Sequence, residues 1–197
     1  MPSERLLRTF LAVELPRRVK ETALHLQTTV QAKPKVVKWL KAVNVHLTLR
    51  FIVPTPESDV PQINEAIAGL VGAHHDLSLS VVGTGVFPKK ERPRVLWLGV
   101  DGEVEKLRDL VNDVNGSLAG LGYPAEERDY TPHVTIGRIR YPQKITPDVS
   151  NFLNCHYEPV PVEVKNVTFF HSDLVPGGPI YSVLGLHELT PLGRENS

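Results

Sequence analysis

Two short strings constrain this 197-residue chain more than anything else in it: Asn44-Val45-His46-Leu47-Thr48-Leu49-Arg50-Phe51 and Thr131-Pro132-His133-Val134-Thr135-Ile136-Gly137-Arg138. Each carries His-apolar-Thr-apolar, and the two histidines lie 87 positions apart. In a β-strand successive side chains point to opposite faces, so a histidine and a threonine two residues apart share one face. The apolar residues between them then face a core. One such strand says little; two at matching positions of a repeat predict a site with two walls.

The same offset extends beyond the motifs. It sets Phe10 on Trp97, Val13 on Val100, Leu24 on Val111, and the strand at 77–86 on the strand at 164–173. The order strand, helix, HxT strand, helix, strand therefore occurs twice, which reads as an internal duplication. The copies cover roughly 7–87 and 94–174, with a final strand over 180–189. The expectation is a single bilobal domain spanning 1–197, its halves related by a pseudo-two-fold axis and its two histidines facing a shared cleft.

Local patterns agree. Residues 7–14 read as a strand ended by Pro16, followed by a helix from Arg17 with Val19, Ala23, Leu26 and Val30 at helical spacing, stopped by Lys33-Pro34-Lys35. In the strand at 45–52, Val45, Leu47, Leu49 and Phe51 make one face, and His46, Thr48 and Arg50 the other. Thr55-Pro56-Glu57-Ser58 signals the start of a helix running to about Val71. The apolar strand at 95–100 precedes the cleanest helical stripe, Val104, Leu107, Val111, Val114, Leu118 and Leu121, closed by Gly120 and Gly122. A short helix near 147–154 and two strands, about 160–171 and 180–189, complete the chain around a Pro176-Gly177-Gly178-Pro179 turn.

Composition limits the function classes. With 22 basic and 22 acidic residues the net charge is zero, which argues against coating long nucleic acid by bulk electrostatics but leaves room for a local basic patch. The one cysteine, Cys155, permits neither an internal disulfide nor a CxxC metal clip, and reads as an apolar filler. No apolar run approaches the roughly 20 residues of a membrane span, and Met1 to Arg8 lead into no signal core. A soluble, cytoplasmic monomer is expected.

A facing pair of histidines suits acid–base chemistry, because an imidazole pKa of about 6.5 lets one ring be neutral and the other charged near neutrality. The neutral ring can take a proton from water while the charged one gives a proton to a departing oxygen. Thr48 and Thr135 add hydroxyl donors for the non-bridging oxygens of a tetrahedral anion. Two bases and two hydroxyls fit a phosphodiester, and the scheme calls for no metal and no cofactor. The halves are too alike for spacing to say which histidine is the acid.

Taken together, these residues resemble the 2H phosphoesterase superfamily, and within it the bacterial and archaeal RNA 2′,3′-cyclic phosphodiesterases, historically called 2′-5′ RNA ligases. The resemblance runs through Arg8-Thr9-Phe10-Leu11-Ala12-Val13, both HxT strings, Pro93 to Val100, Tyr130-Thr131-Pro132 and Gly177-Gly178-Pro179-Ile180-Tyr181. It implies an α+β fold, two antiparallel sheets with outer helices and a cleft between them, that hydrolyses the 2′,3′-cyclic phosphate ends of RNA to 2′-phosphates. It implies His46 as proton donor to the leaving 3′ oxygen, His133 as proton acceptor from water, and Thr48 and Thr135 as phosphate contacts. The chain departs from the family pattern at Ile52-Val53-Pro54, where Leu-Gly-Glu is common, and at Gly137, where Ala is common. Alternatives within the enzyme class are a reversible 2′-5′ RNA ligase or a phosphodiesterase for other cyclic or 2′-5′-linked nucleotides. A binding module for RNA or nucleotides is the non-enzymatic alternative, and it needs no second imidazole.

Four further residues are candidates for substrate contact. Arg50 shares the face of His46 by alternation; Arg138 has the opposite parity from His133 and reaches the cleft only through a bulge near Gly137. Phe10 and Tyr130, together with Trp39, are aromatic platforms for a base or else core. Lys89, Lys90, Arg92 and Arg94 make either a basic rim or a solvated loop. His74-His75 before Asp76 lacks a spaced third metal ligand, and His25, His156, His171 and His187 have no partner pattern.

Overall fold

The computed structural model describes residues 4–33, 35–126, 128–141 and 146–193. Pro34, assigned a helix-stopping role from sequence, and Met1 to Ser3 lie outside them. The first part of the chain runs β1 (Leu6–Glu14), α1 (Arg17–Gln27), β2 (Val37–Trp39), β3 (His46–Pro56), α2 (Val60–Val71) and β4 (Leu77–Phe87). The second runs β5 (Val95–Gly102), α3 (Val104–Gly120), β6 (His133–Ile139), α4 (Ser150–Leu153), β7 (Val160–Val164), β8 (Asn166–Val175) and β9 (Gly178–Glu188).

The helices bury most of the apolar stripes that the periodicity predicts, although α1 stops before Val30, while Val60, Leu70 and Leu121 are only partly buried. Val19, Ala23 and Leu26 of α1 are buried, as are Ile63, Ile67 and Val71 of α2 and Leu107, Val111, Val114 and Leu118 of α3. Each fully buried aliphatic side chain contributes about 1.5–3 kcal/mol, and this, rather than capping, holds the helices: none of the three has a side-chain cap at its N-terminus. The end of α3 is sharp. Tyr123 donates its amide to the Leu118 carbonyl (2.9 Å) and Gly122 to that of Ala119 (3.1 Å), with Gly122 at φ +92°, a reversal that glycine adopts without steric cost.

The strands form two antiparallel sheets, ordered β3-β1-β8-β9 and β2-β6-β5-β4-β7. Each holds one HxT strand beside the opening strand of its own repeat. The third strand comes from the other repeat: β4 pairs with β5, and β8 pairs with β1. The helices cross over in the same way, α1 packing on β6 and α3 on β3. A short loop joins β4 to β5 and favours their hairpin, which leaves β1 free to take β8. The repeats are thus interleaved, and the sheets are not the sequence halves.

Four expectations are corrected. The opening strands correspond at an offset of 85, since Ala12 lies opposite Thr48 and Trp97 opposite Thr135. The predicted strand at 160–171 is two strands that part at Lys165, β7 joining β4 and β8 joining β1. The helix predicted near 147–154 is a single turn, Ser150–Leu153. The helix expected from Thr55 begins at Val60, because Thr55 still belongs to β3 and donates its hydroxyl to the Ile52 carbonyl at 2.6 Å.

Candidate active site

β3 and β6 approach within 8 Å, Cα to Cα, although they belong to different sheets. Between the sheets lies a cleft of about 480 Å³, within the range of small-ligand sites. His46 and Thr48 line it from one wall, Thr135 and Arg138 from the other, with Phe10 and Tyr181 also bordering it. His133 precedes Thr135 by two residues on the same face of β6.

A backbone carbonyl two residues back meets each histidine. His133 Nδ1 lies 2.7 Å from the carbonyl of Thr131, and the Asn44 carbonyl acts on the His46 imidazole. These carbonyls also stand 87 positions apart. A backbone carbonyl can only accept, so in neutral His133 Nδ1 carries the proton and Nε2 is left to exchange one. Aromatic rings surround both imidazoles. His46 stacks on Phe10 (centroids 4.9 Å apart) and meets the edge of Tyr181 (5.4 Å), while His133 lies edge-on to Phe87 (5.0 Å) and near Trp97 (6.4 Å).

This apolar packing sets the protonation states. Burial pushes His46 down to about 4; the Asn44 carbonyl opposes that, and the cations Lys20 and Arg138 add to it. Burial lowers His133 as well, against the Thr131 carbonyl and with Arg138 again contributing. One guanidinium therefore acts on both imidazoles, which places them in a common field. In the protein alone both rings are neutral at pH 7.

One device explains where Arg50 and Arg138 go. In both sheets the HxT strand carries a β-bulge after the threonine, at Leu49 against β1 and at Ile136 against β5. A bulge inserts one unpaired residue and reverses the facing of everything beyond it. Arg50 therefore does not share the site face: it pairs opposite Leu11, is 6% exposed, and bonds the Pro124 carbonyl and the Glu126 carboxylate (3.2 Å). Arg138, against its simple parity, is brought to the cleft, and so is Phe51. The freed Ile136 carbonyl accepts from Leu40 N (3.0 Å) and Gln27 Nε2 (3.1 Å), which holds the bulge in place. Arg50→Ala is expected to lower stability by about 1–3 kcal/mol through its lost charged hydrogen bonds, with kcat/KM changed less than about threefold, as for residues outside the chemistry. Chemical denaturation and steady-state kinetics on the same preparation check it.

The remaining candidates sort by contact. Tyr130 is a structural tie, donating its hydroxyl to the Thr48 carbonyl at 2.9 Å, so it is no base platform. Phe10 is 2% exposed and backs His46, leaving no room to stack a base. Trp39 lines the cleft with its ring over Gly137, where a Cβ would come within 2.6 Å of it; this accounts for glycine at that site. Arg92 and Arg94 stack on Tyr141 instead of forming a rim. His74 pairs with Asp113 at 2.9 Å, His171 with Asp173 at 3.4 Å, and Cys155 packs against the core.

Periodicity missed the basic lining. Arg8, Lys38, Lys41, Arg138 and Arg140 face the cleft, and no acidic residue is among the described residues that line it. It also missed Phe87, Trp97 and Tyr181 as the walls of the histidines. Of the three, only Trp97 carried a sequence signal, as the counterpart of Phe10 at the 87-residue offset.

Two antiparallel sheets, each presenting an HxT strand to a common cleft, define the fold of the 2H phosphoesterases. The comparisons with known proteins agree. The chain belongs to the 2′-5′ RNA ligase superfamily, whose sequence model matches residues 15–176. It is similar to the RNA 2′,3′-cyclic phosphodiesterase of Thermotoga maritima, 32% identical over 90% of this chain and 93% of that one. A protein of the same name from Methanothermobacter thermautotrophicus is 30% identical over 93% and 99%. Among solved structures, a Thermus thermophilus protein superposes with a TM-score of 0.78 at 25% identity, covering 94% of this chain and 99% of that one. Escherichia coli LigT in its apo form gives 0.69 at 25%, covering 95% and 99%. Among the described residues no helix is long and apolar enough to cross a membrane.

Proposed function

We propose that the protein hydrolyses RNA 2′,3′-cyclic phosphate ends to 2′-phosphates by a two-histidine mechanism that needs no metal. The observation that supports this reading is the pairing of His46 and His133 on the two HxT strands that approach across the cleft, each ring meeting the backbone carbonyl two residues back and packed among aromatic rings. The relatives named as RNA 2′,3′-cyclic phosphodiesterases supply the substrate class.

In this scheme His133 Nε2 takes a proton from water as the water oxygen attacks phosphorus. The bond from phosphorus to the 3′ oxygen breaks, and His46 Nε2 delivers its proton to that oxygen. The products are a 2′-phosphomonoester and a free 3′-hydroxyl. Thr48 and Thr135 donate to the non-bridging oxygens, and Arg138 offsets their charge. Such preorganised donors gain strength in a water-poor cleft.

The test is incubation of short RNAs bearing a 2′,3′-cyclic end with excess EDTA, with the product resolved by chromatography against 2′- and 3′-phosphate standards. Undiminished conversion to the 2′-phosphate is expected. Loss of activity with the chelator, restored by a divalent cation, would discard the metal-free scheme.

The lowered pKa values fix a pH dependence. The productive form needs His46 charged and His133 neutral, so kcat/KM, which reports the free enzyme, rises as the pair loses its first proton and falls as it loses its second. Both apparent pKa values lie below 6.5 because both rings are depressed. The optimum of kcat/KM is therefore expected on the acid side of 6.5. A bound phosphodiester anion favours the charged imidazoles, so the kcat profile shifts to higher pH. A kcat/KM limb titrating above 7 contradicts the assignment.

A further inference from the structure

The cleft carries more positive charge than a cyclic phosphate can use. A 2′,3′-cyclic phosphate bears one negative charge, and Arg138 already acts on both imidazoles where that charge would sit. Arg8 on β1, Lys38 on β2 and Lys41 just beyond β2 line the same cleft as well. In a chain with 22 charges of each sign, a lining with several cations and no described carboxylate is segregated, not average. Among the described residues no carboxylate forms an ion pair with Arg8, Lys38, Lys41 or Arg138.

The placement of Lys38 is informative. It lies directly opposite Arg138 in the β2–β6 ladder, and like charges directly opposite on one face destabilise a sheet. A position that costs stability and has no carboxylate partner among the described residues points to an external anion. Arg8 belongs to the other sheet, so the anion is gripped from both walls. Apolar surface accompanies the charge: Phe51 (48% exposed) and Leu174 (64% exposed) line the same cleft. Phosphates on one side and unstacked bases on the other is the pattern of single-stranded nucleic acid on protein.

We propose that Arg8, Lys38 and Lys41 bind the phosphodiesters on the 5′ side of the cyclic end, so that the substrate is a single-stranded oligonucleotide end and not a mononucleotide. The proposal rests on the phosphodiesterase reading above. A base-paired end is disfavoured, because its bases stay stacked and cannot reach Phe51 and Leu174.

The experiment compares a nucleoside 2′,3′-cyclic phosphate with a tetranucleotide carrying the same cyclic end, measuring kcat/KM against salt. Each phosphate contact on a single strand adds about −0.7 to the log–log salt slope. Three added contacts make the tetranucleotide slope steeper by about 2, with at least tenfold higher kcat/KM at low salt. In Lys38→Gln the tetranucleotide slope relaxes by about 0.7, the loss on the tetranucleotide exceeds any change on the mononucleotide, and Tm is not lowered because a like-charge pair is relieved. Equal kcat/KM and equal salt slopes for the two substrates overturn the proposal and assign the cations to some other anion. So does a Lys38→Gln variant that keeps the full tetranucleotide slope. Failure to hydrolyse either substrate overturns the phosphodiesterase reading instead.

Discussion

Replacing either His46 or His133 by alanine is expected to lower kcat/KM on a 2′,3′-cyclic phosphate by about 10²–10⁴-fold, the usual worth of one acid or base. The double variant should lose little more than the worse single variant, since removing one partner of a concerted proton transfer leaves the other with little to do. His46 is packed among rings, so His46→Gln, measured with a thermal melt, separates lost chemistry from lost packing. A substrate in which sulfur replaces the bridging 3′ oxygen then distinguishes the roles. A thiolate leaves without needing a proton, so this substrate should restore most of the activity of the acid variant and none of the base variant. If His46 is the donor, the His46 variants recover and the His133 variants do not; recovery of His133→Ala alone reverses the assignment. Full activity of either alanine variant on the natural cyclic phosphate removes that histidine from the mechanism.

Phe10→Ala is expected to combine the largest stability loss with a change in chemistry. The ring is 2% exposed and touches His46, Phe51, Phe170 and Tyr181, with centroids 4.9–5.9 Å away. Truncating such a residue typically costs about 3–5 kcal/mol, seen as a lower midpoint in urea. The cavity opens onto the cleft, so water reaches His46 and relieves the burial that holds it near 4. Its pKa rises toward 6.5. The sign follows from which ring titrates first: His46 is the more depressed, so a His46 that stays charged to higher pH moves the rising limb of the kcat/KM profile upward, while the limb governed by His133 moves less. Phe10→Leu, which fills most of the volume, should restore stability more fully than the pH profile. An unshifted profile in Phe10→Ala would mean that the ring does not set the protonation of His46.

The sequence showed the HxT strands more clearly than the geometry around them. His46, Thr48, His133 and Thr135 follow from a two-residue alternation inside short apolar strands, and that alternation holds up to the threonine in each copy. It fails one residue later, at Leu49 and Ile136: alternation alone puts Arg50 in the cleft, where it is not, and leaves Arg138 to reach the cleft only through the bulge that is in fact there. A bulge is defined by two residues on one strand facing one on its partner, and a single strand's periodicity does not contain its partner. The opening strands were aligned two residues out for the same reason. Because that error was even, the side chains of the opening strands kept their faces, although the sheets do not correspond to the two halves of the sequence.

What the chain determined by itself is local: the helical stripes, the strand faces, the repeat of elements, and two histidines each followed by a threonine. Steric alternation and helical period act over a few residues, so they can be read wherever they occur. What only the tertiary structure decided depends on contacts between distant segments. The exchange of β4 and β8 between repeats, the bulges that turn Arg138 inward and Arg50 outward, and the aromatic walls of His46 and His133 are of this kind. So is the gathering of Arg8, Lys38, Lys41 and Arg138 in a chain of zero net charge. Burial and electrostatic field are sums over neighbours from many elements, and those neighbours exist only once the chain has folded.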